Sequence, residues 1–533
     1  MATIRRSVSG LVLGLAALAA AQEGGLTGLA ADAELVETRT EIPRLPAPGT
    51  YQPKDGVIEV ELSEYAGYAG LIAANGGLEP NENTPFFKKH HFKLKLTLSE
   101  EESWPALQSG KLAASATTVD VLAVYGRQFQ VVVPAQIGFS RGADGVVVRK
   151  DVKRINDLKG QVLATCQFTE ADFFIRYLAQ EAGLPVNMLA DLKGKPEKEA
   201  LNLVYCADAF GAGDLFLRDL KAGRKRVAGC VTWAPKTTEV AEGSEGKAHV
   251  LATNRNLLIV ADILVVNKGF AQASPDVVAG LVDGLLEGNR MVRDKPDEHL
   301  EVIGKAFQWD AAKTKSELAK VHLSNLPESV AFFEGTIEAA GSYGGIYQSA
   351  VYSYGTELIK NPVDGEKFLE LKHLKALEAS GAYKDQKALI TPLRSTSSAP
   401  VEGDPLLSKD IRFYFEPNSS NLDMKNEDNL KNLESIKKLL QVSPGSTVLL
   451  RGHVDNAQIP TFRAQGGEAL VRQQALRAMD LSKRRAAEVR KHLTEAYKVD
   501  GGRIDSVGRG WEEPAGTDSD KNRRVEVQWF TLE

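Results

Sequence analysis

IGFSRGADGVVVRKDVKRINDLKGQVLAT, residues 137–165, contains two short apolar runs bounded by Gly, Asp and charged residues. Such runs, here residues 145–148 and 161–165, are typical of buried strands. Just before them, residues 129–137 (FQVVVPAQI) have the same character, and just after them residues 172–183 (DFFIRYLAQEAG) carry apolar side chains at helical spacing. Strands and helices are therefore predicted to alternate around this stretch.

The same alternation continues in both directions along the chain, over residues 57–385. Further strand candidates lie at residues 92–99 and 256–267, and residues 274–292 have helical spacing. A mainly helical part follows from residue 271 to residue 383. Strand–helix alternation of this length predicts an α/β architecture with mostly parallel sheets.

Specific strings lie at fixed places in this pattern, namely SEYAGYAG (63–70), ALQSGKLAASATTVDVLAVYG (106–126), the stretch quoted first, and FTEADFFIRYLAQEAGL (168–184). In this order they resemble the type 2 periplasmic substrate-binding proteins and are similar to the nitrate, sulfonate and taurine group. The resemblance implies two α/β lobes joined by hinge strands, with ligand held in the cleft between them. It implies a solute-binding domain over 56–385, with lobe one at 56–145 plus 262–385 and lobe two at 146–261.

Loops at the carboxyl ends of the strands face the cleft in such a fold, so side chains there are candidates for solute contact. The candidates are Tyr65, Tyr68, Thr117, Thr118, Ser140, Arg141, Thr169 and Asp262. Some have alternative roles. Thr169 is typical of a helix N-cap, and the same helix start could hold an anion. Arg141 could pair with Asp144, itself a hinge candidate, and Trp233 could line the cleft or pack in the core.

The polar, Pro-containing run STSSAPVEGDP (395–405) indicates a joint, within a predicted linker at 386–406. After it the pattern restarts with strand candidates near residues 411–415, 446–454 and 523–530. Helical stretches separate them. This β-α-β-α-β order predicts a small, separate α/β sandwich.

Five pieces of this last part occur in a recognisable order: FYFEPNSSNL (413–422), VLLRGHVD (448–455), LSKRRAAEVRKHL (481–493), RIDSVGRGWEEP (503–514) and NRRVEVQ (522–528). Together they resemble the OmpA-like peptidoglycan-binding domain, and the resemblance covers residues 407–533. It implies a pocket for diaminopimelate, whose free end presents an ammonium and a carboxylate. Such a pair calls for one acid and one guanidinium, because the planar fork of Arg matches a carboxylate.

By this resemblance Asp455 and Arg485 form the ligand-gripping pair, and Leu481, one turn before Arg485, walls the pocket. Further pocket-region positions are Phe415, Glu416, Asn418 and Arg524. Glu416 stands where the family usually has aspartate. Alternatively, Asp455 and Arg485 simply pair with each other, which would add little stability. The segment 458–480 is longer than the usual connection and is expected to form a loop or short helix beside the pocket.

The N-terminus has the order of a secretory signal peptide, with Arg5 and Arg6 before the apolar run at 11–21. A signal peptide is predicted over 1–21, followed by a Pro-bearing linker over 22–55. The apolar run is too short to span a bilayer unless residues 25–31 extend it, so retention as an inner-membrane anchor is the alternative.

Charge and cysteine content exclude several classes of protein. The net charge of -5 gives no basic excess for nucleic-acid binding. Three cysteines, Cys166, Cys206 and Cys230, exclude a disulfide scaffold, although Cys206 and Cys230 could pair. No Cys/His spacing typical of a metal site is present, and we predict neither metal nor cofactor.

The sequence therefore predicts a periplasmic solute receptor bound to peptidoglycan, with a small solute as ligand and an anion among the candidates. Its partner would be an ABC permease or a sensory protein. Two alternatives stay open: a structural or signalling wall linker without a transport role, and an enzyme similar to those that form thiamine precursors. The enzyme is disfavoured because their cysteine-rich iron-binding run and any nucleophile–base constellation are missing from the sequence.

Overall fold

The computed structural model describes residues 35–99, 104–337, 340–388, 390, 405–416, 419–443 and 445–530. The predicted signal peptide, the first part of the predicted linker 22–55 and most of the linker 386–406 lie outside these residues. None of the described helices combines the length and apolar composition that a membrane crossing requires.

Three sheets organise the described chain. The strands are β1 (Val57–Leu62), β2 (Lys93–Leu98), β3 (Ala114–Thr118), β4 (Val131–Ser140), β5 (Gly145–Arg149), β6 (Val162–Cys166), β7 (Val186–Met188), β8 (Leu201–Cys206), β9 (Gly229–Thr232), β10 (Ala248–Thr253), β11 (Ala261–Asn267), β12 (Val321–Leu323), β13 (Leu407–Ile411), β14 (Thr447–Gly452), β15 (Ile504–Gly508) and β16 (Val525–Phe530). The α-helices are α1 (Ala69–Asn75), α2 (Pro85–His90), α3 (Trp104–Gln108), α4 (Val119–Tyr125), α5 (Glu170–Glu181), α6 (Ala209–Lys221), α7 (Lys236–Gly243), α8 (Lys268–Ala273), α9 (Pro275–Asp294), α10 (Pro296–Phe307), α11 (Ala311–Leu318), α12 (Leu326–Glu334), α13 (Tyr343–Leu358), α14 (Lys372–Ala379), α15 (Glu427–Val442), α16 (Ile459–Glu495) and α17 (Ser519–Asn522).

The first sheet has the order β12-β4-β11-β3-β1-β2. Its strand β4 is buried along its whole length, as expected for an apolar strand covered by helices on both faces. Helices α1 and α9 pack closely beside it. A Cβ atom added to Gly288 of α9 would lie only 2.0 Å from the carbonyl oxygen of Gly70 in α1. Small residues thus allow the two helix backbones to touch.

The second sheet, β10-β5-β9-β6-β8-β7, repeats the core of the first. Strand β6 lies between the parallel strands β8 and β9, and β5 runs antiparallel to β9. Likewise β1 lies between the parallel strands β2 and β3, and β11 runs antiparallel to β3. This repeated topology gives the two α/β lobes that the sequence predicted. The expectation of mostly parallel sheets is wrong, because the strands that enter each lobe from the other are antiparallel to their neighbours.

The chain crosses between the two sheets twice, at residues 141–144 between β4 and β5 and at residues 254–260 between β10 and β11. The side chain of Asn254 ties the crossings together. Its amide donates to Asp144 Oδ2 at 2.8 Å, and its Oδ1 accepts from the backbone N–H of Gly142 at 2.7 Å. The two crossings therefore form one hydrogen-bonded hinge.

The described part of the predicted N-terminal linker, residues 35–55, is hydrogen-bonded along both lobes. The N–H of Val36 donates to the carbonyl of Tyr205 in β8, on the second sheet. Farther on, the N–H of Leu45 donates to the side chain of Gln128, next to the first sheet. This segment therefore lies against the protein as a strap that touches both lobes.

The third sheet, β13-β16-β14-β15, belongs to the C-terminal unit and packs against α15 and α16. The predicted β-α-β-α-β order missed β15, which pairs in parallel with β14. Its sequence, IDSVG, is short and only partly buried, so its apolar signal is weak. The first strand also begins earlier than expected, at Leu407, and ends at Ile411.

The long segment 458–480 is helical. It forms the first part of α16, which bends at Gly466 and Gly467, where the backbone angles leave the helical range. The expectation of a loop or short helix is therefore wrong in length. Ala, Gln, Leu and Arg are strong helix formers, and only the Gly pair interrupts them.

Direct contacts join the C-terminal unit to the two-lobed part. The N–H of Leu258, in the second crossing, donates to the carbonyl of Val442 at the end of α15 at 2.9 Å. The amide side chain of Asn156 exchanges two hydrogen bonds with the backbone of Ser408 in β13, at 2.9 and 2.8 Å. The C-terminal unit therefore rests on lobe two and on the hinge.

Candidate functional sites

A small cavity lies between the lobes, mostly at the carboxyl ends of the strands. It has a volume of about 20 Å³, which is room for about one water-sized group. It is lined by Ser63, Tyr65, Tyr68, Thr118, Ser140, Asp144, Glu170, Trp233, Val260 and Asp262. Both lobes and both crossings contribute to this lining, so the cavity lies where the two lobes meet.

Asp262 is the carboxylate that lobe one contributes. It is the second residue of β11 and is almost fully buried. The hydroxyls of Tyr65 and Tyr68, from the turn after β1, donate to its two oxygens at 3.4 Å each. Burial and the nearby Asp144 raise the pKa of Asp262 well above its usual range.

Asp144 is the carboxylate that the first crossing contributes. Its Oδ2 accepts the hydrogen bond from Asn254, whereas its Oδ1 is buried and has no hydrogen bond of normal geometry within the described residues. The hydroxyl of Ser140 is close enough to lower the pKa of Asp144. Burial raises the pKa of Asp144 to about 6. Behind the cavity wall, Asp120 is fully buried at the start of α4, and burial raises the pKa of Asp120 to about 7, a rise that the hydroxyl of Thr118 opposes.

Two helices begin beside the cavity, and both carry acids in their first turn. Helix α4 begins after Thr118 and carries Asp120, and helix α5 carries Glu170 and Asp172. The positive ends of these helix dipoles are therefore already faced by carboxylates. The lining itself contains acids and no Lys, Arg or His.

Of the predicted solute residues, the structure brings Tyr65, Tyr68, Thr118, Ser140 and Asp262 together in the lining. Thr117 is buried but does not line the cavity, because alternate residues of a strand face opposite sides. The hydroxyl of Thr169 donates to the carbonyl of Cys166 at 2.9 Å. Arg141 stands outside the lining, and burial and the neighbouring Arg255 lower its pKa.

Several lining residues were missed or left open by the sequence. Asp144 was assigned to the hinge and Trp233 was left between cleft and core, while Ser63, Glu170 and Val260 were not named. Glu170 and Trp233 follow β6 and β9 closely. The rule that carboxyl ends of strands face the cleft would have found both, had it been applied to every strand of lobe two.

A second site lies on the C-terminal unit around Asp455, which follows β14. One oxygen of Asp455 accepts from the N–H of Ala457 at 3.0 Å, and the other accepts from the hydroxyl of Ser519 at 2.5 Å. The guanidinium of Arg523 lies 3.5 Å from the same carboxylate. Ser519 and Arg523 were not predicted.

Arg485 approaches the same place from α16. Its guanidinium lies over the ring of Phe415, 4.7 Å from the ring centre, and its Nε is buried without a hydrogen-bond partner. Burial and the nearby Arg523 lower the pKa of Arg485. Asp455 and Arg485 therefore flank Arg523 on one side of the unit, and the ion pair of Asp455 is with Arg523.

The remaining predicted pocket residues are placed as follows. Leu481 is partly buried one turn before Arg485. Glu416 is exposed and accepts from the side chain of Asn421 at 3.3 Å. Arg524 points elsewhere, since its Nε donates to Asp410 at 2.8 Å. Asn418 lies outside the described residues. The sequence has arginine at both 523 and 524, and by itself it could not show which of the two faces Asp455.

Residues 414–528 match the family model described as the OmpA family. These residues form an OmpA domain. The family pieces quoted from the sequence thus correspond to the third sheet and its helices. A search of curated proteins found no match to the chain.

Solved structures resemble the first part of the chain. The alkanesulfonate-binding protein SsuA from Xanthomonas axonopodis pv. citri, bound to MOPS, is 13% identical and has a TM-score of 0.44, with 60% of this chain and 100% of that chain covered. The aliphatic sulphonate binding protein SsuA from Escherichia coli is 14% identical, with a TM-score of 0.43 and coverage of 59% and 97%. The putative sulfonate-binding SsuA from Methylobacillus flagellatus KT is 15% identical, with a TM-score of 0.45 and coverage of 65% and 99%.

Proposed function

We propose that this protein is a solute receptor of the bacterial periplasm, held to peptidoglycan by its OmpA domain. The observation that carries the proposal is the cavity between the lobes, whose lining comes from both lobes and both crossings. A ligand that contacts both lobes stabilises the closed form relative to the open form, and the hinge at Asn254 gives the closure its axis. The partner that reads the closed form would be an ABC permease or a sensory protein.

The proposed binding to peptidoglycan follows from the charged groups around Asp455. The carboxylate of Asp455 would accept the ammonium of diaminopimelate, and the guanidinium of Arg485 would bind its carboxylate. Arg523 supplies a second guanidinium group beside Asp455 and Arg485, and the ring of Phe415 packs against the guanidinium of Arg485. One acid and two guanidinium groups thus match the zwitterionic end of the stem peptide.

The variant Arg485→Ala tests the proposed binding to peptidoglycan. We expect the variant to lose co-sedimentation with purified Gram-negative sacculi while it keeps its fold, because Arg485 is half-buried and its Nε has no hydrogen-bond partner among the described residues. Co-sedimentation is measured by pelleting, and the fold by circular dichroism.

The matched control is Arg484→Ala. Arg484 precedes Arg485 on the same helix, is exposed and pairs with Asp480 at 2.9 Å. The Arg484→Ala variant should co-sediment with sacculi like the unaltered protein. Equal binding by all three proteins, or equal loss in both variants, would contradict the assignment of the pocket.

The receptor role is tested by thermal denaturation of the full chain with a library of small amines, sulfonates, nitrate, bicarbonate and carboxylic acids. A ligand that binds only the folded protein raises the melting temperature in proportion to the logarithm of its concentration over Kd. We expect at least one class to do so. If no class of compound raises the melting temperature, the alternative of a structural or signalling wall linker is favoured instead.

A further inference from the structure

We propose that the cavity between the lobes takes a small organic cation, a protonated amine, and not an anion. The inference rests on the proposed function, because it names the class of solute for the same cavity. It departs from the expectation that placed an anion among the candidates.

The charge of the lining is the first support. Asp262 comes from lobe one, Asp144 from the first crossing and Glu170 from the start of α5 in lobe two. No basic side chain lines the cavity, and Asp120 adds a further buried carboxyl behind it. An anion brought into this lining would meet carboxylates from three directions, at low dielectric, where like charges repel strongly.

The unsatisfied oxygen of Asp144 is the second support. Asp144 is 2% exposed, and among the described residues its Oδ1 has no hydrogen bond of normal geometry, although the hydroxyl of Ser140 is close enough to lower the pKa of Asp144. A buried carboxylate oxygen without a donor is costly, and a ligand with N–H groups would supply that donor. An anion brings acceptor oxygens and would leave Asp144 as it is.

Aromatic rings supply the third support. Trp233 of lobe two and the pair Tyr65 and Tyr68 of lobe one line the same cavity. The two tyrosine rings meet edge to face, with centres 5.2 Å apart. Electron-rich ring faces attract ammonium groups, most strongly where water is excluded. Carboxylates together with aromatic walls are the surroundings that a protonated amine prefers.

A metal ion fits less well than an amine. In the part of the chain that the structure describes, the group whose ligand atoms lie close enough to share one ion is His453, Glu513 and Glu526, in the OmpA domain. There Arg451 already pairs with both carboxylates, each at 2.7 Å. The acids of the cavity do not converge in this way, so a compact ammonium group that donates to them in different directions is favoured.

The test is isothermal titration of the full chain at pH 8 with matched probes. Ethanolamine is the cation, isethionate is the anion in which a sulfonate replaces its ammonium, and calcium and zinc chloride test metals. We expect heat of binding with ethanolamine and none with isethionate or the metals. Binding of isethionate without ethanolamine would overturn the inference and leave the receptor function standing, and binding of a metal alone would overturn it as well. If none of the probes binds, the inference is also overturned, and the broader library described above then decides the receptor function.

Variants show whether the cavity is the site. Asp262→Asn and Asp144→Asn should each weaken ethanolamine binding by about tenfold or more, as expected when one partner of a buried charge pair is removed. Each removes a buried carboxylate, so we expect the unliganded melting temperature to stay the same or rise. Asp151→Asn is the control, since Asp151 is 68% exposed on lobe two. Unchanged affinity in both cavity variants would place the amine elsewhere and overturn the inference.

Discussion

Three buried carboxyl groups lie around the cavity, Asp120, Asp144 and Asp262, and their charged forms oppose folding. Burial raises the pKa of each above the usual range for aspartate. A group of this kind binds its proton more tightly in the folded protein than in the unfolded chain. Its favourable contribution is therefore fully present below the unfolded pKa and is lost as the pH rises through the folded pKa. Stability given up in this way is common at binding sites.

Asp120→Asn should raise the free energy of unfolding at pH 8 by about 1–3 kcal/mol and raise it distinctly less at pH 5. The reason is that the pKa of Asp120 rises from 3.8 to about 7, so its carboxyl is charged at pH 8 and mostly protonated at pH 5. Urea denaturation at both pH values measures the difference.

The groups that face Asp120 support this sign. Burial is the main cause of its shift, and the carboxyl groups of Asp144 and Asp172 add to it, while the hydroxyl of Thr118 opposes it. The charge of Asp120 in turn raises the pKa of Tyr354 and of Asp262. The control variant Asp151→Asn, at an exposed position, should leave the free energy of unfolding unchanged at both pH values. An equal gain by Asp120→Asn at pH 5 and pH 8 would show that charge is not the cause.

Among the elements, helix α16 depends on two glycines of the sheet beneath it. A Cβ atom at Gly452 in β14 would lie 2.2 Å from the carbonyl oxygen of Ser482, and one at Gly508 in β15 would lie 2.7 Å from the carbonyl oxygen of Met479. Both contacts are with helix backbone, which cannot rotate away as a side chain does. The helix that carries Arg485 therefore lies directly on the sheet.

Gly452→Ala should lower the free energy of unfolding of the OmpA domain by about 1–3 kcal/mol, the usual cost of overpacking, and weaken binding to sacculi as α16 is displaced. Urea denaturation and sacculus pelleting measure the two effects. Gly516→Ala is the control, because a Cβ atom there meets nothing within 4 Å. If Gly452→Ala is as stable as the unaltered protein, α16 is not held in this close contact.

For the molecule as a whole, the contact between the OmpA domain and lobe two determines whether the OmpA domain and the two-lobed part move together. The side chain of Asn156 bonds to both the N–H and the carbonyl of Ser408, and Leu258 in the hinge bonds to Val442. The OmpA domain therefore contacts both lobe two and the second crossing between the lobes.

Asn156→Ala should speed amide hydrogen exchange at Ser408, because the donor N–H loses an acceptor whose bond contributes about 1 kcal/mol. Exchange in β6, which lies in the sheet of lobe two, should stay unchanged. Hydrogen exchange followed by mass spectrometry of peptides measures both. Equal exchange at Ser408 in the two proteins would mean that this contact does not hold β13 in place.

Much of the architecture was accessible from local pattern. Apolar runs such as residues 145–148 and 161–165 became β5 and β6 because the hydrophobic period depends on neighbours in the chain. The OmpA pieces were recognisable for the same reason, since they keep their order. Strand β15 was missed because its apolar content is low, and the mixed direction of the sheets was missed because strand pairing is a property of distant residues.

The sequence alone established two α/β lobes, the OmpA domain, and the candidates Tyr65, Tyr68, Asp262, Asp455 and Arg485. Only the tertiary structure determined which side chains meet. It placed Arg523, and not Arg524, beside Asp455, and it brought Asp144 and Glu170 to Asp262. The physical reason is that the charge of a pocket depends on groups from distant parts of the chain. Folding alone determines how closely they approach and how little water remains between them.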